Sequence, residues 1–189
     1  MLASRSHSHL LHPDETIIVV IDMQEPFLRT IHERDRVIKN VCSLLRGAKI
    51  LRVPIVSTVQ NFKAMGDVIP EVKAHLPPLL PPFDKLTFSS YADPGFASEL
   101  NRSGRKQVLI CGVETHICIS QTALSLMTAG YQVHVCADAA SSRTVENWRM
   151  GLEKIRQAGG LVTSMETALF ELLQQAGTAD FREILAIVK

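Results

Sequence analysis

The stretch TIIVVI, residues 16 to 21, contains only apolar or β-branched residues. A half-exposed strand alternates apolar and polar residues, whereas a run without alternation is typical of a strand buried on both faces. Such strands belong to parallel sheets that are covered by helices on both sides. The stretch 16–21 therefore predicts a strand inside a parallel sheet.

Similar short runs follow along the chain and alternate with stretches in which apolar residues recur at helical spacing. We expect further strands at residues 54–59, 107–111, 132–136 and 161–163. Helices are predicted at residues 31–51, 94–102, 115–129, 144–158, 164–175 and 180–188. This alternation indicates an α/β fold, a parallel sheet between two layers of helices. Ligands of such sheets bind beyond the carboxyl ends of the strands.

Length and composition fit one globular domain, since the chain has 189 residues, 46% of them apolar and 21% charged. The net charge of +1 gives no general electrostatic attraction for nucleic acid or anionic membranes. No apolar run reaches the ~20 residues that a transmembrane helix requires. We therefore expect neither nucleic acid nor a membrane as a partner.

The first twelve residues are rich in Ser and His and lack the apolar segment of a signal peptide. We expect a flexible tail at residues 1–12 and a single domain at residues 13–189. The four cysteines form no CxxC pair, which is typical of free thiols in a reducing compartment. A cytoplasmic location is expected, with a mitochondrial one left open for a eukaryotic source.

Three residues with chemically useful side chains follow predicted strands. Asp22 comes directly after the first strand and lies at the rim of the ligand crevice or caps a helix. Cys118 lies in the first turn of a helix that Thr115 would cap, where the helix dipole favours a thiolate; a small core residue is the alternative. Lys85 lies among apolar residues and is either a surface lysine or a cation beside a thiolate.

The segments around Asp22, Lys85 and Cys118, in this order along the chain, resemble the isochorismatase-like cysteine hydrolase superfamily. This superfamily includes nicotinamidases and N-carbamoylsarcosine amidohydrolase. The resemblance covers residues 16–189 and is strongest for the isochorismatase-domain branch. Four motifs carry it: Asp22 with Gln24 and Phe27, Lys85 with Ser89, GVETHIC at residues 112–118, and VCADAASSR at residues 135–143.

The resemblance implies a Rossmann-like, three-layer αβα sandwich with about six parallel strands. It also implies a catalytic triad in which Cys118 is the nucleophile, Asp22 the base and Lys85 the cation that favours both anions. The bond between Val113 and Glu114 is expected to be a cis peptide. The backbone N–H groups of Glu114 and Cys118 are then expected to form an oxyanion hole.

The implied function is hydrolysis of a small amide-like molecule, whose C–N bond is cleaved through an acyl-thioester on Cys118. Nicotinamidases carry an Asp/His metal cluster after the second strand, but residues 59–67 contain no His, so we expect no metal and no cofactor. A homo-oligomer, a dimer or larger, is expected. The substrate pocket is expected to include Gln24, Phe27, Gln60, Phe88, Tyr91 and His116, beside Glu114.

Two other classes of function are weighed against this one. A non-catalytic binding or scaffold protein with the same fold is the alternative, and the retention of Asp22, Lys85 and Cys118 counts against it. A dinucleotide-binding oxidoreductase is disfavoured because the first strand leads into DMQEPF, residues 22–27, and not into a GxGxxG turn.

Overall fold

A computed structural model describes residues 9–189 of the chain. Within that range, six strands are present: β1 (Thr16–Ile21), β2 (Ile55–Gln60), β3 (Phe83–Lys85), β4 (Gln107–Val113), β5 (Gln132–Ser141) and β6 (Leu161–Thr163). They form one parallel sheet in the order β3-β2-β1-β4-β5-β6. The α/β fold with a parallel sheet of about six strands is thereby confirmed.

Helices cover both faces of this sheet. The α-helices are α1 (Glu25–Leu28), α2 (Arg34–Ile50), α3 (Phe62–Met65), α4 (Pro70–Lys73), α5 (Pro94–Arg102), α6 (Ser120–Thr128), α7 (Val145–Gln157), α8 (Met165–Leu173) and α9 (Ala179–Val188). A 3-10 turn (Ser90–Ala92) precedes α5, and a π-helical turn (Thr115–Ile119) precedes α6. Helices α2, α8 and α9 contribute to the hydrophobic core on one face of the sheet, and α5, α6 and α7 to the core on the other.

Strand β1 lies between β2 and β4, and its side chains enter the two cores alternately. Ile18 and Val20 belong to the core under α2, whereas Ile17, Val19 and Ile21 belong to the core under α5 and α6. Both faces of β1 are therefore apolar, which explains why its sequence shows no polar alternation.

Strand β5 is longer than the predicted 132–136, because it continues beyond a bulge to pair Ala140 and Ser141 with the end of β4. Asp138 interrupts its apolar pattern. Its Oδ1 accepts a hydrogen bond from the backbone N of Met165, the first residue of α8, at 2.7 Å. The strand thus continues past a carboxylate that binds the start of a neighbouring helix. Hydrophobic periodicity alone does not predict such a continuation.

The predicted flexible tail at residues 1–12 falls partly outside the described residues, which begin at residue 9. Residues 9–12 lie against the domain, since Leu11 is buried and its backbone N donates to Glu171 Oε2 at 3.1 Å. The backbone N of His12 donates to Gln107 Oε1 at 2.7 Å. The packed part of the chain therefore begins before residue 13. No helix within residues 9–189 has both the length and the apolar character needed to cross a lipid bilayer.

Candidate active site

The carboxyl edge of the sheet brings together three side chains from distant parts of the chain. Asp22 follows β1 directly, Lys85 ends β3, and Cys118 lies in the π-helical turn after β4. Lys85 Nζ lies 2.7 Å from Asp22 Oδ2 and 3.8 Å from Cys118 Sγ. The structure thus brings the three residues proposed as a triad together, with Lys85 in contact with both Asp22 and Cys118.

Asp22 is held by its backbone and by two hydrogen bonds. It has a φ of 50°, a left-handed conformation that Asp adopts more readily than most residues. Its Oδ1 accepts a hydrogen bond from Thr58 Oγ1 at 2.8 Å, and its Oδ2 accepts the bond from Lys85. Both oxygens of this buried carboxylate are therefore paired, as a buried charge requires.

The ammonium group of Lys85 has a third neighbour, Gln60. Lys85 Nζ donates to Gln60 Oε1 at 2.6 Å, and Gln60 Nε2 in turn donates to the backbone O of Leu86 at 3.0 Å. An ammonium has three N–H groups, and Asp22, Gln60 and Cys118 face all three. Gln60, expected as a pocket residue, thus also orients the lysine.

Gln24 lies behind the site rather than in the cavity. It is fully buried, and its Oε1 accepts from the backbone N of Gln60 at 2.7 Å. Its Nε2 donates to the backbone O of Gln60 at 3.1 Å and of Gly66 at 2.7 Å. The amide of Gln24 therefore fixes the end of β2 against the segment that follows it.

The pKa of the Cys118 thiol is raised to about 12, chiefly by burial. The nearby Asp22 carboxylate also raises this pKa, and its effect exceeds the opposite effect of the Lys85 ammonium. The thiol is therefore protonated at neutral pH. The thiolate expected from the position of Cys118 near a helix start is therefore not favoured. Since the charge of Lys85 is engaged by Asp22, desolvation dominates at this sulfur.

A cavity of about 220 Å³ lies above Cys118. Asp22, Gln60, Asn61, Glu114 and Cys118 are its polar or reactive lining residues. The remaining lining residues, which we call the apolar wall, are Phe27, Met65, Phe88, Val113 and Ile117.

Two residues expected in the pocket have other neighbours. The Tyr91 ring packs edge-on against Tyr131, with ring centroids 6.0 Å apart. His116 Nδ1 lies 2.9 Å from Ser142 Oγ, and burial lowers the pKa of this histidine. Neither residue lines the cavity above Cys118.

Sequence reasoning missed Asn61, Met65 and Ile117 as cavity residues. Asn61 and Met65 lie in the segment 59–67, whose residue types carry no pattern typical of a pocket. Ile117 directly precedes Cys118, so its position beside the nucleophile was the available signal. Within residues 9–189, no three His, Cys, Asp or Glu side chains are grouped so that they could hold a metal ion.

The segment between β4 and the nucleophile has an unusual backbone. The Val113–Glu114 peptide bond is cis. Glu114 Oε2 accepts hydrogen bonds from the backbone N of Arg143 at 3.1 Å and from its Nε at 3.0 Å. Thr115 does not cap the helix as predicted, because its Oγ1 donates to the backbone O of Ser141 at 3.0 Å. The end of β5 therefore anchors this turn through two side chains.

Gly112 allows β1 and β4 to approach closely just below the site. It pairs with Ile21 in the parallel register and has a φ of 114°. A Cβ atom at this position would lie 2.1 Å from the backbone O of Ile21. A residue with a side chain cannot occupy position 112 unless the two central strands separate.

Comparison with known proteins assigns this architecture to a family. The family model described as the isochorismatase domain matches residues 16–167. The chain belongs to the isochorismatase family. Membership of this family supports the expectation from the sequence that the protein is a hydrolase.

Among relatives in the isochorismatase family, the secreted isochorismatase effector Isc1 of Phytophthora sojae is 39% identical over 183 residues, 95% of this chain and 87% of that protein. The structure of MAR1 ribonuclease from Caenorhabditis elegans aligns with a TM-score of 0.89 and 30% identity, covering 95% of this chain and 92% of that one. The YcaC gene product of Escherichia coli, an octameric hydrolase of unknown specificity, shares the fold with a TM-score of 0.89 at 23% identity, covering 96% of this chain and 92% of that one.

Proposed function

We propose that the protein is a metal-independent cysteine hydrolase that cleaves the C–N bond of a small amide through an acyl-thioester on Cys118. One observation carries the proposal: Lys85 Nζ lies within 2.7 Å of Asp22 Oδ2 and 3.8 Å of Cys118 Sγ at the base of a cavity. A buried charge pair beside a nucleophile in a cleft is typical of a catalytic site.

The first half of the reaction forms the acyl-enzyme. The resting thiol is protonated, so Asp22 takes the Sγ proton while the sulfur attacks the carbonyl carbon and a C–S bond forms. The carbonyl oxygen becomes an oxyanion, which the backbone N–H groups of Glu114 and Cys118 stabilise. In the π-helical turn, the backbone O of Glu114, four residues before Cys118, accepts from the N–H groups of Ile117 and Ile119, which leaves the N–H of Cys118 for the oxyanion.

The second half releases both products. The C–N bond breaks as the leaving nitrogen takes the proton from Asp22, giving ammonia or an amine. A water molecule then transfers a proton to Asp22 and attacks the thioester carbon, the C–S bond breaks, and Cys118 regains its proton from Asp22 as the carboxylic acid leaves. Lys85 stays an ammonium throughout and holds the Asp22 carboxylate in place.

A panel of small primary amides tests the proposal, with ammonia release and the intact protein mass as readouts. Turnover is expected together with an acyl adduct on the peptide that contains Cys118. Cys118→Ala should reduce turnover to background without unfolding the protein. Cys42→Ala is the matched control, since Cys42 is a free thiol in α2 outside the site, and it should keep full activity.

Two results would count against this function. Turnover by Cys118→Ala at the rate of the unmodified protein would remove Cys118 from the mechanism. Absence of both ammonia and adduct across the panel would favour the non-catalytic binding protein with the same fold.

We also propose that the protein forms a homo-oligomer. Phe62, Leu86 and Phe88 flank the end of β3 and are 50%, 76% and 55% exposed. Apolar side chains concentrated at one edge favour contact with another protein surface. Light scattering of the purified protein tests this, and a monomer at all concentrations would contradict it.

A further inference from the structure

The apolar wall makes up half of the residues that line the cavity above Cys118. Phe27, Met65, Phe88, Val113 and Ile117 present carbon and sulfur atoms to a bound molecule. An apolar wall of this kind favours burial of an apolar group and disfavours a charged one, since a charge would lose its water without gaining a partner.

The charged groups at the cavity are already neutralised in pairs. Asp22 is bound by Lys85, whose remaining N–H groups face Gln60 and Cys118. Glu114 is bound by Arg143 through Oε2. Among the lining residues of this cavity, no Arg, Lys or His is present to receive a substrate carboxylate. The charges of these two pairs are therefore already compensated within the protein, and a charged substrate group would find no free opposite charge among them.

The cavity is also small. Its volume of about 220 Å³ lies below the ~300–1,000 Å³ of pockets that hold drug-sized ligands. A short branched aliphatic group or a single ring matches this space better than a larger molecule.

We infer that the site selects substrates whose acyl group is small, apolar and uncharged, and that it rejects those bearing a carboxylate or an ammonium. This inference rests on the proposed function and names its substrate class. The apolar wall discriminates by the cost of desolvating a charge beside Cys118.

Alkylation of Cys118 tests the selection without requiring turnover. Iodoacetamide, iodoacetate and 2-bromoethylamine are neutral, anionic and cationic reagents of similar size. The rate of modification of Cys118 by each reagent is followed by peptide mass spectrometry, in the folded protein and in the urea-unfolded protein. In the folded protein, the preference for iodoacetamide over either charged reagent should be at least tenfold higher than in the unfolded protein. Equal preferences in the two states would overturn the inference.

A charge placed on the apolar wall should change this preference. Phe88→Arg puts a guanidinium at the cavity and should lower the iodoacetamide-to-iodoacetate ratio at least threefold. A changed thiol pKa cancels in this ratio, because both reagents attack the same sulfur. Phe170→Arg is the control, since Phe170 is a partly exposed phenylalanine in α8 that does not line the cavity, and it should leave the ratio unchanged.

Met65→Arg is the second variant if Phe88→Arg does not fold, which circular dichroism establishes. A folded wall variant with an unchanged ratio would show that the apolar wall does not discriminate, and would overturn the inference.

Hydrolysis of isobutyramide and succinamate separates this inference from the proposed function. These two amides have the same leaving group, and only succinamate carries a carboxylate. Selective hydrolysis of isobutyramide, at least tenfold by kcat/KM, is expected. Equal hydrolysis of both would refute the selection and leave the hydrolase intact. Selective alkylation without hydrolysis of any amide would refute the proposed hydrolase function. The inference that the cavity selects uncharged molecules would still stand.

Discussion

Lys85 Nζ lies 2.7 Å from Asp22 Oδ2, and the two side chains are only 0% and 1% exposed. Replacing one partner of such a pair leaves the other charge buried without compensation, which typically costs about 3–5 kcal/mol. Lys85→Met should therefore lower the free energy of unfolding by about this amount, as measured by urea denaturation. The double variant Asp22→Asn/Lys85→Met should lose clearly less than the sum of the two single variants.

The exposed Lys63 in α3 provides the control for this pair. Lys63→Met removes the same charge from the surface and should change the free energy of unfolding by less than about 0.5 kcal/mol. Additive costs in the double variant would show that Asp22 and Lys85 do not stabilise each other.

The raised pKa of Cys118 predicts how its reactivity depends on pH. Because a pKa of about 12 leaves little thiolate at neutral pH, the rate of alkylation by iodoacetamide should still rise between pH 8 and pH 10. The Asp22 carboxylate raises this pKa, so Asp22→Asn should lower it and speed alkylation at pH 8. The same variant should lose amide hydrolysis, since no base remains. A plateau below pH 8 in the unmodified protein would contradict this description of the thiol.

The hydrogen bond from Lys85 Nζ to Gln60 Oε1, 2.6 Å long, gives Gln60 a measurable role. A hydrogen bond to a charged group is worth about 1.5–3 kcal/mol. Gln60→Met should reduce kcat about tenfold to a hundredfold with a smaller effect on KM, because the lysine is no longer held toward Asp22. Gln60→Glu keeps an acceptor at this position and should retain more of kcat than Gln60→Met does. Similar kcat values for Gln60→Met and the unmodified enzyme would leave Gln60 without a positioning role.

Gly112 offers a test of the close approach between the central strands. A methyl group at this position would meet the Ile21 backbone at 2.1 Å, so Gly112→Ala should lower the free energy of unfolding by more than about 3 kcal/mol. Gly104 also has a positive φ, 68°, but has open space around it. Gly104→Ala should therefore cost only the ~1–2 kcal/mol of the left-handed conformation. Equal losses for the two variants would contradict the steric explanation.

Hydrophobic patterns predicted the sheet and most helices because both faces of β1 are buried and the helices are amphipathic. Patterns failed where a strand contains charged residues. Strand β3 (Phe83–Lys85) includes Asp84 and Lys85, whereas β6, equally short but uncharged, was predicted. Strand β5 contains Asp138, whose carboxylate binds the start of α8.

The three residues of the candidate site were predictable from their positions after strands and from the family resemblance. The sequence did not reveal which of the neighbouring side chains face the cavity. Successive side chains on a helical turn point in different directions, so Ile117 lines the cavity while His116 contacts Ser142. Gln24 has the residue type of a substrate ligand, yet the backbone groups that it binds are fixed only by tertiary structure.

The reacting groups and Phe88, one member of the apolar wall, depend to different degrees on the rest of the fold. Asp22 and Lys85 are fully buried and tied to strand ends, whereas Phe88 belongs to an exposed connection. Phe88 can therefore change at little cost to stability while the chemistry beneath it persists. Because exposed loops tolerate substitution better than the elements they connect, substrate preference at this site can evolve at position 88 while the catalytic residues stay the same.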